Sequence, residues 1–113
     1  MLWSIYPIMK GNTGILLVFH LPSGTPRSIH NKFMKKFYGE NTSSWKGRYH
    51  YRRRGLLDKI PHIKLYTGVI IVHQKNVPMI LQFLRQYSAI THKRKVMLIK
   101  NDVKTLSKPQ TPN

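Results

Sequence analysis

The stretch Gly14-Ile15-Leu16-Leu17-Val18-Phe19-His20-Leu21-Pro22-Ser23-Gly24-Thr25-Pro26 decides how the chain is read. From Ile15 to Leu21 it is a short run of branched and aromatic residues without polar alternation, the pattern of a strand buried on both faces. Pro22, Ser23 and Gly24 close the run, and Thr25 followed by Pro26 is the pair expected at a helix N-cap and first turn. Beyond it Ile29, Phe33 and Phe37 recur every four residues, with Met34 and Tyr38 beside them, which predicts the buried face of a helix ended by Gly39. Lys32, Lys35 and Lys36 fall on its other flank. Strand, tight loop and helix make one unit.

A similar unit recurs toward the C-terminus. Leu65 to His73 contains Val69-Ile70-Ile71-Val72, a second buried strand. Asn76, Val77 and Pro78 signal a helix start, and Ile80, Leu81, Phe83, Leu84 and Tyr87 supply its apolar face. Ile90 to Ile99 reads as a last strand, basic in its first half (His92, Lys93, Arg94, Lys95) and apolar in its second. Between the two units, Leu56 to Pro61 is a short apolar link, and Asn41 to Gly55 is a strand or an extended arm. Counted as a strand, that arm completes the order strand, helix, strand, strand, helix, strand. This is the α+β ferredoxin-like βαββαβ sandwich, with both helices on one face of a four-stranded antiparallel sheet and the other face open. Residues 1–106 are read as one such domain carrying a basic arm at 41–55, and residues 107–113, with two prolines and no large apolar side chain, as a disordered tail.

Charge restricts the function. Twenty Lys and Arg stand against three acids in 113 residues, a formal net charge of +17. With 41 % hydrophobic residues, the same chain has enough apolar material for a packed interior. Such a charge repels itself in the compact state, so a polyanion is the expected partner. The acids are Glu40, Asp58 and Asp102 alone, which argues against two-metal phosphoryl transfer and carboxylate-pair hydrolysis in a monomer. Absence of cysteine removes thiol catalysis and Cys-based zinc sites. The six histidines include no i,i+4 pair on a predicted helix, so neither metal nor cofactor is expected. Met1 to Met9 is apolar but lacks the basic region and cleavage site of a signal peptide, and no apolar run approaches the ~20 residues that span a bilayer.

Three clusters carry the candidate chemistry. In the arm, Lys46, Arg48, Arg52, Arg53 and Arg54 are interleaved with Trp45, Tyr49 and Tyr51, so that phosphate neutralisation and base stacking sit on one segment. Alternation puts Trp45, Tyr49 and Tyr51 on one side, and Lys46, Arg48, His50 and Arg52 on the other. The bland alternative is an edge strand whose three aromatics belong to the core while its arginines keep the outer face soluble. Lys93, Arg94 and Lys95 form the second cluster, and Lys32, Lys35 and Lys36 the third; each alone is more often a solvated face, but three clusters in 113 residues are harder to dismiss. The loop from Pro22 to Pro26 precedes a helix N-terminus but has no phosphate-loop spacing.

At Leu17-Val18-Phe19-His20-Leu21-Pro22 followed by a helix, the chain resembles the small ferredoxin-like subunit of the CRISPR spacer-integration complex and the toxin and repressor domains of that fold. The resemblance covers residues 14–99 in plan and implies the fold, a homodimer and nucleic-acid contact. The family's first strand ends in an aspartate implicated in metal binding; here the matching position is His20.

The first expectation is therefore a non-catalytic, cytoplasmic RNA-binding structural protein of a ribosome or another ribonucleoprotein particle. Its partners would be RNA, ribosomal RNA first, and neighbouring particle proteins, with no membrane. The alternative is a dimeric DNA-binding protein resembling the CRISPR subunit, with a metal-dependent nuclease as its catalytic variant.

Overall fold

The computed structural model describes residues 12–44, 47 and 49–107. Strand β1, Thr13–His20, buries Ile15, Leu17 and Phe19 on one face and leaves Leu16 and Val18 half-buried on the other. Helix α1, Arg27–Tyr38, follows. The Thr25 hydroxyl donates to the Pro22 carbonyl at 2.6 Å and so stabilises the turn, and Pro26 occupies the N-cap position expected of Thr25. Phe33 and Phe37 are buried as expected, but Ile29 is 40 % exposed. A strict four-residue spacing drifts about 40° per step around a helix, so the first member of the triplet turns away from the core. Gly39, at φ +81°, ends α1 and donates its N–H to the Lys35 carbonyl.

The chain then forms a hairpin of β2, Glu40–Ser44, and β3, Tyr49–Arg53, and this pair is a two-stranded sheet of its own. The arm is therefore not the second strand of the main sheet. That place belongs to β4, His62–Tyr66, which the turn at Thr67 and Gly68 joins to β5, Val69–Val72. The run read as one strand from Leu65 is thus two antiparallel strands. Gly68 makes the turn possible, because at φ +86° an added Cβ would lie 2.6 Å from the Phe19 carbonyl oxygen. Helix α2, Val77–Gln86, strand β6, Ile90–Met97, and helix α3, Lys100–Leu106, complete the described residues.

The main sheet has the order β4-β5-β1-β6 with every neighbouring pair antiparallel. Register sets Ile15 opposite Val72 and Leu17 opposite Ile70, so these four side chains share the face on which α1 and α2 pack. Their partners are Phe33 and Phe37 from α1 and Val77, Ile80 and Leu84 from α2, while Leu57 and Ile60 of the link close one side. Rings of Phe19, Phe33 and Phe37 meet at centroid separations of 5.0 to 6.3 Å. The second face is not wholly open. Helix α3, unforeseen because its sequence KNDVKTL shows little apolar periodicity, packs beside β4 and buries Leu106. His73 Nε2 lies 3.3 Å from the Leu106 carbonyl. The fold is a small mixed α+β domain. The expected disordered tail falls, from residue 108 onward, outside the described residues, as does the N-terminal segment Met1 to Met9.

Candidate nucleic-acid interface

Among the described residues, the base of the β2–β3 hairpin is tied to the end of α1 and to the link by a junction centred on Arg52. Arg52 reaches across its base and donates to both Asp58 carboxylate oxygens at 2.8 Å, to the Tyr38 carbonyl at 2.6 Å and to Asn41 Oδ1 at 3.3 Å. Asp58 also accepts the Gly55 N–H at 2.8 Å, and Arg54 donates to the Asp58 carbonyl at 3.3 Å. Partial burial pushes the Asp58 carboxyl up, but the Arg52 hydrogen bonds, the Gly55 N–H and the charges of Arg52 and Arg54 together outweigh it and hold its pKa below the ordinary value. A Cβ on Gly39 would come within 2.5 Å of Asp58 Oδ2 and 2.7 Å of the Arg53 carbonyl, so that glycine also makes room for the junction. Arg52, expected among the nucleic-acid contacts, has its guanidinium engaged in holding the hairpin to the end of α1.

Fixing the hairpin there joins two clusters that are separate in sequence. Lys32, Lys35 and Lys36 of α1 and Arg53 and Arg54 line one cleft of about 290 Å³, with Glu40 as the single acid of its lining. Glu40 lies 3.7 Å from Lys35 Nζ. Five cations in a concavity focus a positive potential outward, as a phosphate-binding groove requires. Along β3, alternation puts Arg53, Tyr51 and Tyr49 on one face, and the register against Glu40 and Thr42 agrees. Tyr49 and Tyr51 are 55 % and 51 % exposed. They are not core residues, so the edge-strand alternative fails for both. Successive side chains on this face stand roughly 6.6 Å apart, about twice the ~3.4 Å base step of a duplex strand. That spacing suits unstacked bases of a single strand and not a stacked duplex. Trp45, Lys46 and Arg48 lie outside the described residues.

The third cluster is not brought in. Lys93, Arg94 and Lys95 are exposed on β6, and its register against Leu17, Leu16 and Ile15 sends Arg94 to one sheet face and Lys93 and Lys95 to the other. Pleating divides what the sequence shows as a run. The three acids are likewise separated: Glu40 pairs with Lys35, Asp58 with Arg52, and Asp102 accepts the Ile99 N–H at the start of α3. Among the described residues no three His, Cys, Asp or Glu side chains converge, and no helix is long and apolar enough to cross a membrane.

Sequence reading missed a second concavity, at the C-terminal end of β1, where His20, His30, Met34 and Tyr38 line a pocket of about 250 Å³. The four-residue stripe His30, Met34, Tyr38 on the predicted helix was the available signal, hidden beside the stronger Phe33 and Phe37 stripe. No protein-family model matches the chain, and neither a curated protein nor a solved structure matches it.

Proposed function

We propose that this protein binds single-stranded segments of RNA through the α1 and hairpin cleft and acts as a non-catalytic, cytoplasmic structural component of a ribonucleoprotein particle, the ribosome first. The observation that carries the reading is the meeting of Lys32, Lys35 and Lys36 with Arg53 and Arg54 beside two exposed tyrosines on one hairpin face. Phosphates are neutralised in the cleft while bases stack on Tyr51 and Tyr49. A net charge of +17 supplies the long-range attraction. We also read the fold as ferredoxin-like with the hairpin inserted after α1, a reading supported by the order β4-β5-β1-β6 and by a helix linking each strand to its parallel next-but-one neighbour.

Sedimentation of native lysate with and without ribonuclease tests it. The expected result is co-migration with a large particle, lost on ribonuclease treatment, and filter binding that favours single-stranded RNA with a log K against log salt slope of about −3.5 from the five cleft cations. Free sedimentation at about twice 13.3 kDa with preference for duplex DNA would overturn it in favour of the dimeric reading. Chelator-sensitive cleavage of RNA or DNA would overturn the non-catalytic part.

A further inference from the structure

The pocket at the end of β1 has a different chemistry from the cleft, and we infer that it receives one unstacked nucleobase of the bound strand. The inference rests on the RNA reading above and adds a base-recognition site to it. Phe19, Phe33 and Met34 give the pocket an apolar floor, and Thr25 and the two imidazoles of His20 and His30 give it polar groups. Lys, Arg, Asp and Glu are all absent from its lining among the described residues, so that lining offers no ammonium or guanidinium to a phosphate and no carboxylate to a cation. Its volume of about 250 Å³ lies below the ~300 to 1,000 Å³ typical of pockets for larger organic ligands. A neutral, planar heterocycle with donors and acceptors on its edge is the ligand such a site fits.

The polar atoms are disposed for that edge. His20 Nδ1 lies 3.1 Å from the Leu21 carbonyl, a group that can only accept, and in the neutral tautomer that donates there Nε2 is an acceptor. The Tyr38 hydroxyl accepts the Gly68 N–H at 2.7 Å, which leaves its own hydrogen for donation. Burial raises the Tyr38 pKa against the opposing Gly68 hydrogen bond, so that hydrogen stays in place at neutral pH. The His30 imidazole makes no hydrogen bond or ion pair with a described residue. Outside the pocket, Lys64 Nζ sits 4.4 Å from the centroid of the same Tyr38 ring, a cation ready for the flanking phosphate. The cleft lysines lie on another flank of the same helix.

Amide NMR of the full chain separates the possibilities, using a ten-nucleotide single-stranded RNA, the same oligonucleotide with abasic positions, and uridine and adenosine 5′-monophosphates. Saturable shifts at Gly24, Thr25 and Gly68 with the normal but not the abasic strand are expected. A His20→Ala, His30→Ala double variant, both sites being exposed, should bind the strand on the order of tenfold more weakly with its salt slope unchanged. Pocket shifts produced more readily by the monophosphates than by the strand would overturn the bound strand as the source of the base and name the free nucleotide instead. Strand binding that moves only Lys32, Lys36 and Arg53 would overturn the pocket and leave the cleft standing. Failure of the strand to bind while monophosphates fill the pocket would overturn the cleft and leave the nucleobase site standing.

Discussion

The main sheet and the β2–β3 hairpin are built on opposite principles. In the sheet and its helices Leu17, Phe37, Ile70, Val72 and Ile80 have no measurable exposure, and each is fixed by several neighbours. In the hairpin all five residues of β3 are exposed, and a two-stranded ribbon is at best marginally stable alone. Its position depends on Arg52, Asp58 and the end of α1. Packing accounts for the residue types in the first region. Nothing among the described residues accounts for Tyr49, Tyr51 and Arg53 in the second, which is why their use is sought in a partner.

The hardest break is in the core. Phe37→Ala removes a ring stacked on Phe33 and edge-on to Phe19, and should lower folding stability by about 3 to 5 kcal/mol in a denaturant titration. Tyr49→Ala and Tyr51→Ala should move that titration by about 0.5 kcal/mol or less, yet weaken RNA binding by roughly 1 to 3 kcal/mol each. A large stability loss at either tyrosine would erase the contrast between the two regions.

Within the cleft the comparison sharpens by charge. Replacing Lys32, Lys36 and Arg53 with Gln should take about 2 units from the salt slope at three phosphates, while the melting temperature holds. Arg52→Gln should do the reverse: a stability loss of about 1 kcal/mol from the broken junction, with little of the slope removed directly. Equal slope losses for Arg52 and Arg53 would mean that both guanidiniums reach phosphate, against the geometry of the Arg52 contacts.

Legibility in the sequence follows the same division. The buried strands around Ile15 and Val69, the Phe33 and Phe37 stripe and the α2 face were readable because burial imposes a period on residue choice. Strand β4 was not, since its HIKLY lies at a sheet edge where three of five residues are exposed, and the arm, richer in β-formers, competed for its place. Helix α3 escaped for want of an apolar stripe, although Asp102 three residues after Ile99 is an N-terminal signal. The cationic residues were legible as clusters but not as a site. Whether lysines on a helix and arginines on a hairpin converge depends on the contact between Arg52 and Asp58, which only the fold creates. The run Lys93-Arg94-Lys95 shows the converse, adjacency in sequence undone by the pleat.

The smallest effect, and the most specific to the junction, is its dependence on pH. The Asp58 carboxyl is held below its ordinary value in the folded protein, so the folded state favours its ionised form. An unfolded Asp titrates near ~3.9. The stability that Asp58 contributes is therefore complete above that range and is lost as pH falls through the lower folded value. Thermal stability should stay level, as far as Asp58 is concerned, from neutrality to about pH 5 and decline below about pH 4. Asp58→Asn keeps an oxygen for the Gly55 N–H but loses the charge facing Arg52 and Arg54, so it should cost about 1 kcal/mol or less at pH 7 and flatten the acid decline. The signals of Tyr49 and Tyr51 should then broaden or shift before those of Leu17 and Ile70, because the hairpin loosens while the sheet stays packed. A variant whose acid decline matches the parent, or whose core signals move first, would show that the hairpin is held by something other than this carboxylate.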